Sequence, residues 1–207
     1  AEMEGIIPME AVFDQRWVSR LDGVRVKTID NKWDQAMALI DDIANIIPAA
    51  PAKGQYAVLL GDEGTHLGCS ALLAEAMDRD AGPPRPVDLA AERAAGEFIL
   101  SHRAYISAAT DLSDGGLALA AFEMAVAGNT GVTLDTDSIP ALFGEDQARY
   151  VLATKNANDL IALAGEAGVP AAQIGAVGGD QIALGDSTVA LADLRAVWEA
   201  GIPDIAA

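Results

Sequence analysis

One cysteine and two histidines in 207 residues leave this sequence short of the side chains that build disulfide frameworks and zinc centres. Cys69 alone excludes an intramolecular disulfide, and His66 and His102 are too few for a histidine-rich metal site. Basic residues are scarce as well: 13 Lys and Arg stand against 31 Asp and Glu, a formal charge of −18. Such a chain repels an extended phosphate backbone instead of releasing its counterions, so nucleic acid is excluded as a partner. A small phosphorylated ligand has to be met by backbone N–H groups, by Mg2+ held on carboxylates, or by basic groups lent by another domain or subunit. No apolar run approaches the roughly 18 residues needed to cross a bilayer, and Ala1 to Gly5, with two glutamates, lacks the basic start of a signal peptide. The expectation is a soluble, cytoplasmic protein without a membrane partner.

What is present is apolar: 51% of the residues, sufficient to bury roughly 70% of the surface that the unfolded chain exposes. Residues 1–54 differ in character from the rest, hold Trp17 and Trp33, and end in the breaker-rich run from Pro48 to Gly54. Within them Trp33, Met37, Ile40, Ala44 and Ile47 recur at helical spacing, which predicts an amphipathic helix from about Lys32. That stripe either packs on the main domain or faces a partner. From Gln55 strands and helices alternate. Strands are predicted at Tyr56 to Leu60, Tyr105 to Ala109, Gly131 to Leu134, Arg149 to Thr154, and in three short runs beginning at Gln173, Gln181 and Thr188. Helices are predicted from about Ala71, Asp88, Leu117, Ala157 and Ala192. The expected organisation is an appendage, 1–54, followed by one domain, 55–207. That domain is expected to be α/β (α+β layered), a mixed sheet with helices packed against it.

Three segments carry candidate chemistry. In the first, Gly61 to Ser70, glycines after a buried strand let the backbone approach a ligand. The N–H groups of the helix beginning near Ser70 suit an anion. It is neither a dinucleotide fingerprint nor a P-loop, because no Lys-Ser or Lys-Thr follows the last glycine, and it could equally be a plain strand-to-helix turn. The second, Asp111-Leu112-Ser113-Asp114-Gly115-Gly116, joins a strand end to a helix. Ser113 or Asp114 can cap that helix, and Asp111 and Asp114 can hold Mg2+ near a nucleotide. A serine-hydrolase elbow is excluded, since Asp111 stands where that motif needs glycine. The third runs from Leu142 to Tyr150, with Glu145, Asp146 and Arg149 crowded before a strand. They form a local ion-pair network or reach a ligand or facing subunit. Cys69 near a helix start has the setting of an activated thiol, but packing in a glycine turn explains it as well.

In this order the three segments resemble the carboxy-terminal domain of phosphoribosylformylglycinamidine synthase, synthetase subunit, of the small bacterial type. The resemblance rests on Leu67-Gly68-Cys69-Ser70, Thr110 to Leu117, and Leu142 to Arg149. Pro83 to Leu89 and Leu194 to Glu199 add to it, and it covers about Gln55 to Ala207. Cys69 departs from the family pattern, which has a second glycine there, and Thr110 stands where His is common. The Asn-Val-Ser-Leu and Pro-Thr-Pro-x-Ile-Gly runs that precede this domain in the family are absent from residues 1–54.

The resemblance implies a fold like that of the aminoimidazole ribonucleotide synthetase carboxy-terminal domain. It also implies a part in an ATP-dependent and Mg2+-dependent ligase of purine biosynthesis, with glutamine as amide donor. In that reaction ATP phosphorylates the amide oxygen of formylglycinamide ribonucleotide, and ammonia from a separate glutaminase subunit displaces the phosphate. Thr65, His66, Gly68, Cys69 and Ser70 are expected to meet the substrate phosphate. Asp111, Ser113, Asp114, Gly115 and Gly116 are expected near nucleotide and metal, with Asp111 and Asp114 as metal ligands; no catalytic residue is assigned. The remainder of the synthetase chain, the glutaminase and small accessory subunits are the expected partners, and the 207-residue chain alone is expected to be inactive. The alternatives are a non-catalytic binding or assembly module, and other members of the superfamily: aminoimidazole ribonucleotide synthetase, selenophosphate synthetase and thiamine-phosphate kinase.

Overall fold

The computed structural model describes residue 47 and residues 49–79, 81–83 and 87–200. The helix expected from Lys32 lies outside the described residues. Seven strands form one sheet: β1 (Tyr56–Leu60), β2 (Ala108–Asp111), β3 (Val132–Leu134), β4 (Tyr150–Thr154), β5 (Ala171–Val177), β6 (Gln181–Leu184) and β7 (Ser187–Ala190). Their order across the sheet is β2-β4-β1-β5-β3-β6-β7. All neighbours are antiparallel except β3 and β6, so the sheet is mixed as the sequence predicts. Among the described residues five α-helices flank it: α1 (Leu89–Ser101), α2 (Gly116–Gly128), α3 (Ile139–Phe143), α4 (Ala157–Glu166) and α5 (Leu191–Ala200).

Strand periodicity divides the core in two. Ala57 and Leu59 of β1, with Val151 and Ala153 of β4, face α2 and pack among Leu117, Ala121 and Met124. The intervening Val58, Leu60 and Leu152 face the other way, onto Phe98 and Ile99 of α1 and Leu160 of α4. Ile47, the last member of the stripe in the 1–54 segment, is buried in this second layer. The strands predicted at Tyr56 to Leu60 and Arg149 to Thr154 thus form, and the structure covers β1 and β4 on both faces.

Several boundaries differ from expectation. Residues 103–105 form a 3-10 turn and the strand begins at Ala108 and ends on Asp111, which moves Asp111 from the loop onto the sheet. The helix expected from Ala71 is a single π-helical turn, Leu72–Ala76. Between Leu134 and Tyr150 the chain forms the unexpected α3, with Pro140 in its first turn, where a missing N–H costs nothing.

Candidate functional site

Sheet register brings the three motifs together. Leu60 at the end of β1 pairs with Tyr150 at the start of β4, and Tyr150 pairs with Asp111 at the end of β2. Because these strands alternate in direction, the segments 61–70, 111–116 and 142–149 all leave the sheet at the same end.

The third motif organises the other two. Glu145 Oε1 accepts hydrogen bonds from the Ala71 N–H at 2.7 Å and the Gly115 N–H at 2.8 Å. Asp146, 3% exposed, accepts the Thr65 N–H through Oδ2 at 3.0 Å. Arg149, equally buried, donates from Nε to the Asp62 carbonyl, from Nη1 to Gly144 and from Nη2 to Ala141. These bonds reach the backbone of distant loops as well as neighbouring turns. From the other layer Glu92 of α1 accepts the Ala148 N–H at 2.6 Å and the Tyr150 hydroxyl at 3.4 Å. Burial first, and then the carboxylates of Glu92 and Asp111, push the Tyr150 phenol up from its ordinary value. It stays a neutral hydrogen-bond donor.

In the first motif the donors are already engaged. The Gly68 N–H donates to His66 Nδ1, the Cys69 N–H to the Ala81 carbonyl and the Ser70 N–H to the Leu67 carbonyl. Ser70 is 1% exposed and its Oγ accepts from the Leu73 N–H at 3.4 Å, so it braces the π-helical turn. The sequence leaves these N–H groups open to an anion, whereas in the structure each has a protein acceptor. Thr65 and Cys69 are exposed, and His66 and Gly68 are half-buried. Cys69 has φ +59°, the left-handed region that favours the glycine of the family pattern.

In the second motif neither Ser113 nor Asp114 caps α2; Gly115 occupies the cap position with φ +77° and no side-chain cap of its own. Gly116, at φ +62°, lies so close to the Leu142 and Gly144 carbonyls that any side chain would force this loop off the third motif. Ser113 and Asp114 are exposed and Asp111 is half-buried. Asp111 has a neighbour that sequence reading missed, Glu123 on α2. Partial desolvation, and next the Asp111 carboxylate, push Glu123 up from the ordinary glutamate value. Its helical offset from the motif gave no sequence signal. Among the described residues no group of three His, Cys, Asp or Glu side chains converges as a metal site, so Asp111 and Asp114 would need ligand oxygens to complete a Mg2+ shell. An open groove of about 700 Å3 borders the first and third motifs, with Asp62, Gln147 and the start of α1 among its walls.

Strands β1 to β6 and the glycine loops fall within the match to one protein family, the AIR synthase related protein, C-terminal domain. That family matches residues 52–185, and the chain belongs to it. Within it the relatives are phosphoribosylformylglycinamidine synthase subunits PurL. The subunit of Jannaschia sp. (strain CCS1) is 48% identical over 79% of this chain and 23% of its own length. That of Brucella ovis is 48% identical over 73% of the chain and 22% of its own length. The chain therefore spans about a quarter of the length of the curated relatives it matches. Among solved structures, Thermotoga maritima PurL complexed with FGAR superposes with a TM-score of 0.57 at 19% identity, over 73% of this chain and 30% of that one. The same protein complexed with ATP gives 0.55 at 21% identity, over 72% and 27%. These likenesses establish the fold. No helix among the described residues is long and apolar enough to cross a membrane.

Proposed function

We propose that this chain serves as the carboxy-terminal domain of an ATP-dependent ligase that converts formylglycinamide ribonucleotide to the amidine in the cytoplasm. Ammonia would be drawn from glutamine by a separate glutaminase subunit. The observation that carries the reading is the convergence of the three motifs at one sheet end, in a chain 48% identical to a PurL subunit over 79% of its length. PurL of T. maritima complexed with FGAR and with ATP supports the choice of both ligands.

In this reading the turn Thr65 to Ser70 receives the substrate phosphate. The chain is acidic and no Lys or Arg lies between Lys53 and Arg79, so neutral donors and the His66 ring carry the contact. The phosphate takes over the N–H groups of Gly68 and Cys69 from His66 Nδ1 and the Ala81 carbonyl, exchanging protein acceptors for a charged one. Ser70 holds the turn from behind. Asp111 and Asp114 supply carboxylates for Mg2+, which would neutralise the polyphosphate of ATP alongside the glycine loop 115–116. The chemistry is positioning and charge neutralisation, and no nucleophile from this chain enters it.

Gly68→Val tests the placement in the intact synthetase. A side chain there meets the Pro83 carbonyl and the His66 ring, so the turn must open. Loss of ribonucleotide affinity with Mg–ATP affinity retained is expected, and wild-type ribonucleotide affinity would place the phosphate elsewhere. Purified 207-residue chain supplied with ATP, ammonia and the ribonucleotide should make no amidine; turnover by it alone would overturn the reading of a dependent domain.

A further inference from the structure

The residues directly before two helical turns at this sheet end offer no side-chain cap, and Ser70 Oγ reaches only the Leu73 N–H of the π-helical turn. Gly115, before α2, has no side chain to offer, and Ala71, before the π-helical turn, has only a methyl group. An uncapped turn leaves backbone N–H groups without partners, and a carboxylate at that position is favoured by the partial positive charge of the helix end. Glu145 fills both vacancies with one atom: its Oε1 accepts the Ala71 and Gly115 N–H groups at 2.7 and 2.8 Å, from 74 positions and 30 positions away in sequence. Glu145 is itself fixed, because its neighbours Gly144 and Asp146 are held by Arg149 Nη1 and the Thr65 N–H.

We propose that Glu145 is a positioning residue, a shared cap that makes the turn 65–71 and the loop 111–116 open and close as one unit. An oxygen that serves two donors ties their geometries. If the first loop moves to admit a phosphate, Ala71 moves relative to Glu145 and Gly115 feels the change through the same atom. The consequence for ligands rests on the reading of these loops as the substrate and nucleotide faces, whereas the shared cap itself does not.

Amide hydrogen exchange of the full 207-residue chain, read by NMR at Ala71 and Gly115, tests the proposal. Glu145→Ala is expected to lower protection of both amides by at least about tenfold, the loss of a hydrogen bond to a charged acceptor. Formate, which fits the vacated space, should restore both in parallel, and chloride should not. Glu145→Gln, which keeps the shape and one acceptor oxygen, should show a smaller, still parallel loss, and it reads the same quantity if the alanine variant does not fold. Loss at one amide alone, or formate restoring neither in a folded variant, would overturn the shared cap. A second arm reads coupling: saturating formylglycinamide ribonucleotide should raise protection at Gly115 in the parent chain, less in Glu145→Gln, and not at all in Glu145→Ala. Ribonucleotide that protects Ala71 but not Gly115 in the parent refutes the coupling. Ribonucleotide that protects neither contradicts the placement of the substrate while the formate result still decides the cap.

Discussion

Replacing Arg149 with methionine removes the side chain that ties three carbonyls at the ligand end of the sheet. Its guanidinium donates to Gly144 at 2.8 Å, to Asp62 at 3.0 Å and to Ala141 at 3.2 Å, with the residue 3% exposed. Methionine fills much of the volume, so the cavity term is small and the loss is chiefly polar. A hydrogen bond to a charged group contributes about 1.5–3 kcal/mol, and a buried carbonyl left unpaired costs about 1–3 kcal/mol. Asp62 is exposed and water can replace the guanidinium there, whereas Gly144 and Ala141 are buried. Two orphaned carbonyls and one rehydrated one give an expected destabilisation of about 3–5 kcal/mol. Arg149→Lys, a point charge without the planar fork, should recover less than half of it. Urea unfolding of the parent and both variants supplies the numbers, provided the slope with denaturant stays constant. A cost below about 1 kcal/mol for methionine would refute the view that Arg149 is the keystone of this end.

Cys69→Gly relieves a left-handed residue of its Cβ and loses the 2.9 Å contact from Sγ to the Gly82 carbonyl. With glycine's greater unfolded-state entropy offsetting part of the gain, thermal unfolding should show a stabilisation of up to about 1 kcal/mol, and a clear loss would contradict the strain argument. Glu123 is raised in the folded state, so the fold binds its proton more tightly than the unfolded chain and loses stability as pH rises through that interval. Glu123→Gln is therefore expected to raise Tm at neutral pH and to match the parent below the ordinary glutamate range; an equal offset at both pH values would assign the effect to something other than charge. Arg195 of α5 donates to the Val126 carbonyl and to Asn129 Oδ1 at the end of α2. Arg195→Ala should cost about 1 kcal/mol in the same unfolding assay, and no change would mean that water satisfies that helix end equally well.

The fold was legible where burial dictated the pattern. Tyr56 to Leu60 and Tyr150 to Thr154 are apolar runs too short for helices, and they became central strands. The stretch from Tyr105 was misplaced by three residues because Tyr105 and Ile106 look like strand residues. In the structure the 3-10 turn ends there, and pairing with β4 sets the strand start instead. Pro140 concealed α3, since a proline in a first turn reads like a breaker. At the candidate site the segments were found but their connections were not. Glu145, Asp146 and Arg149 read in the sequence as an ion-pair network or as contacts to a ligand or facing subunit, and that reading does not contain their bonds to the backbone of Ala71, Gly115, Thr65 and Asp62. A carboxylate that accepts from a remote N–H leaves no spacing in the sequence, because any residue can offer that N–H. The engaged state of the Gly68, Cys69 and Ser70 donors was invisible for the same reason: their acceptors include Ala81, beyond the turn itself.

The central claim is that three distant motifs form one ligand face. Titrating the 15N-labelled 207-residue chain with formylglycinamide ribonucleotide, and separately with Mg–ATP, tests it most directly. Amide shifts are expected to concentrate at residues 65–71 for the ribonucleotide and at 111–116 for Mg–ATP, saturating at about millimolar ligand because the remaining contacts belong to the rest of the synthetase. Shifts confined to the opposite end of the sheet, or no shift in either segment at such concentrations, would contradict it.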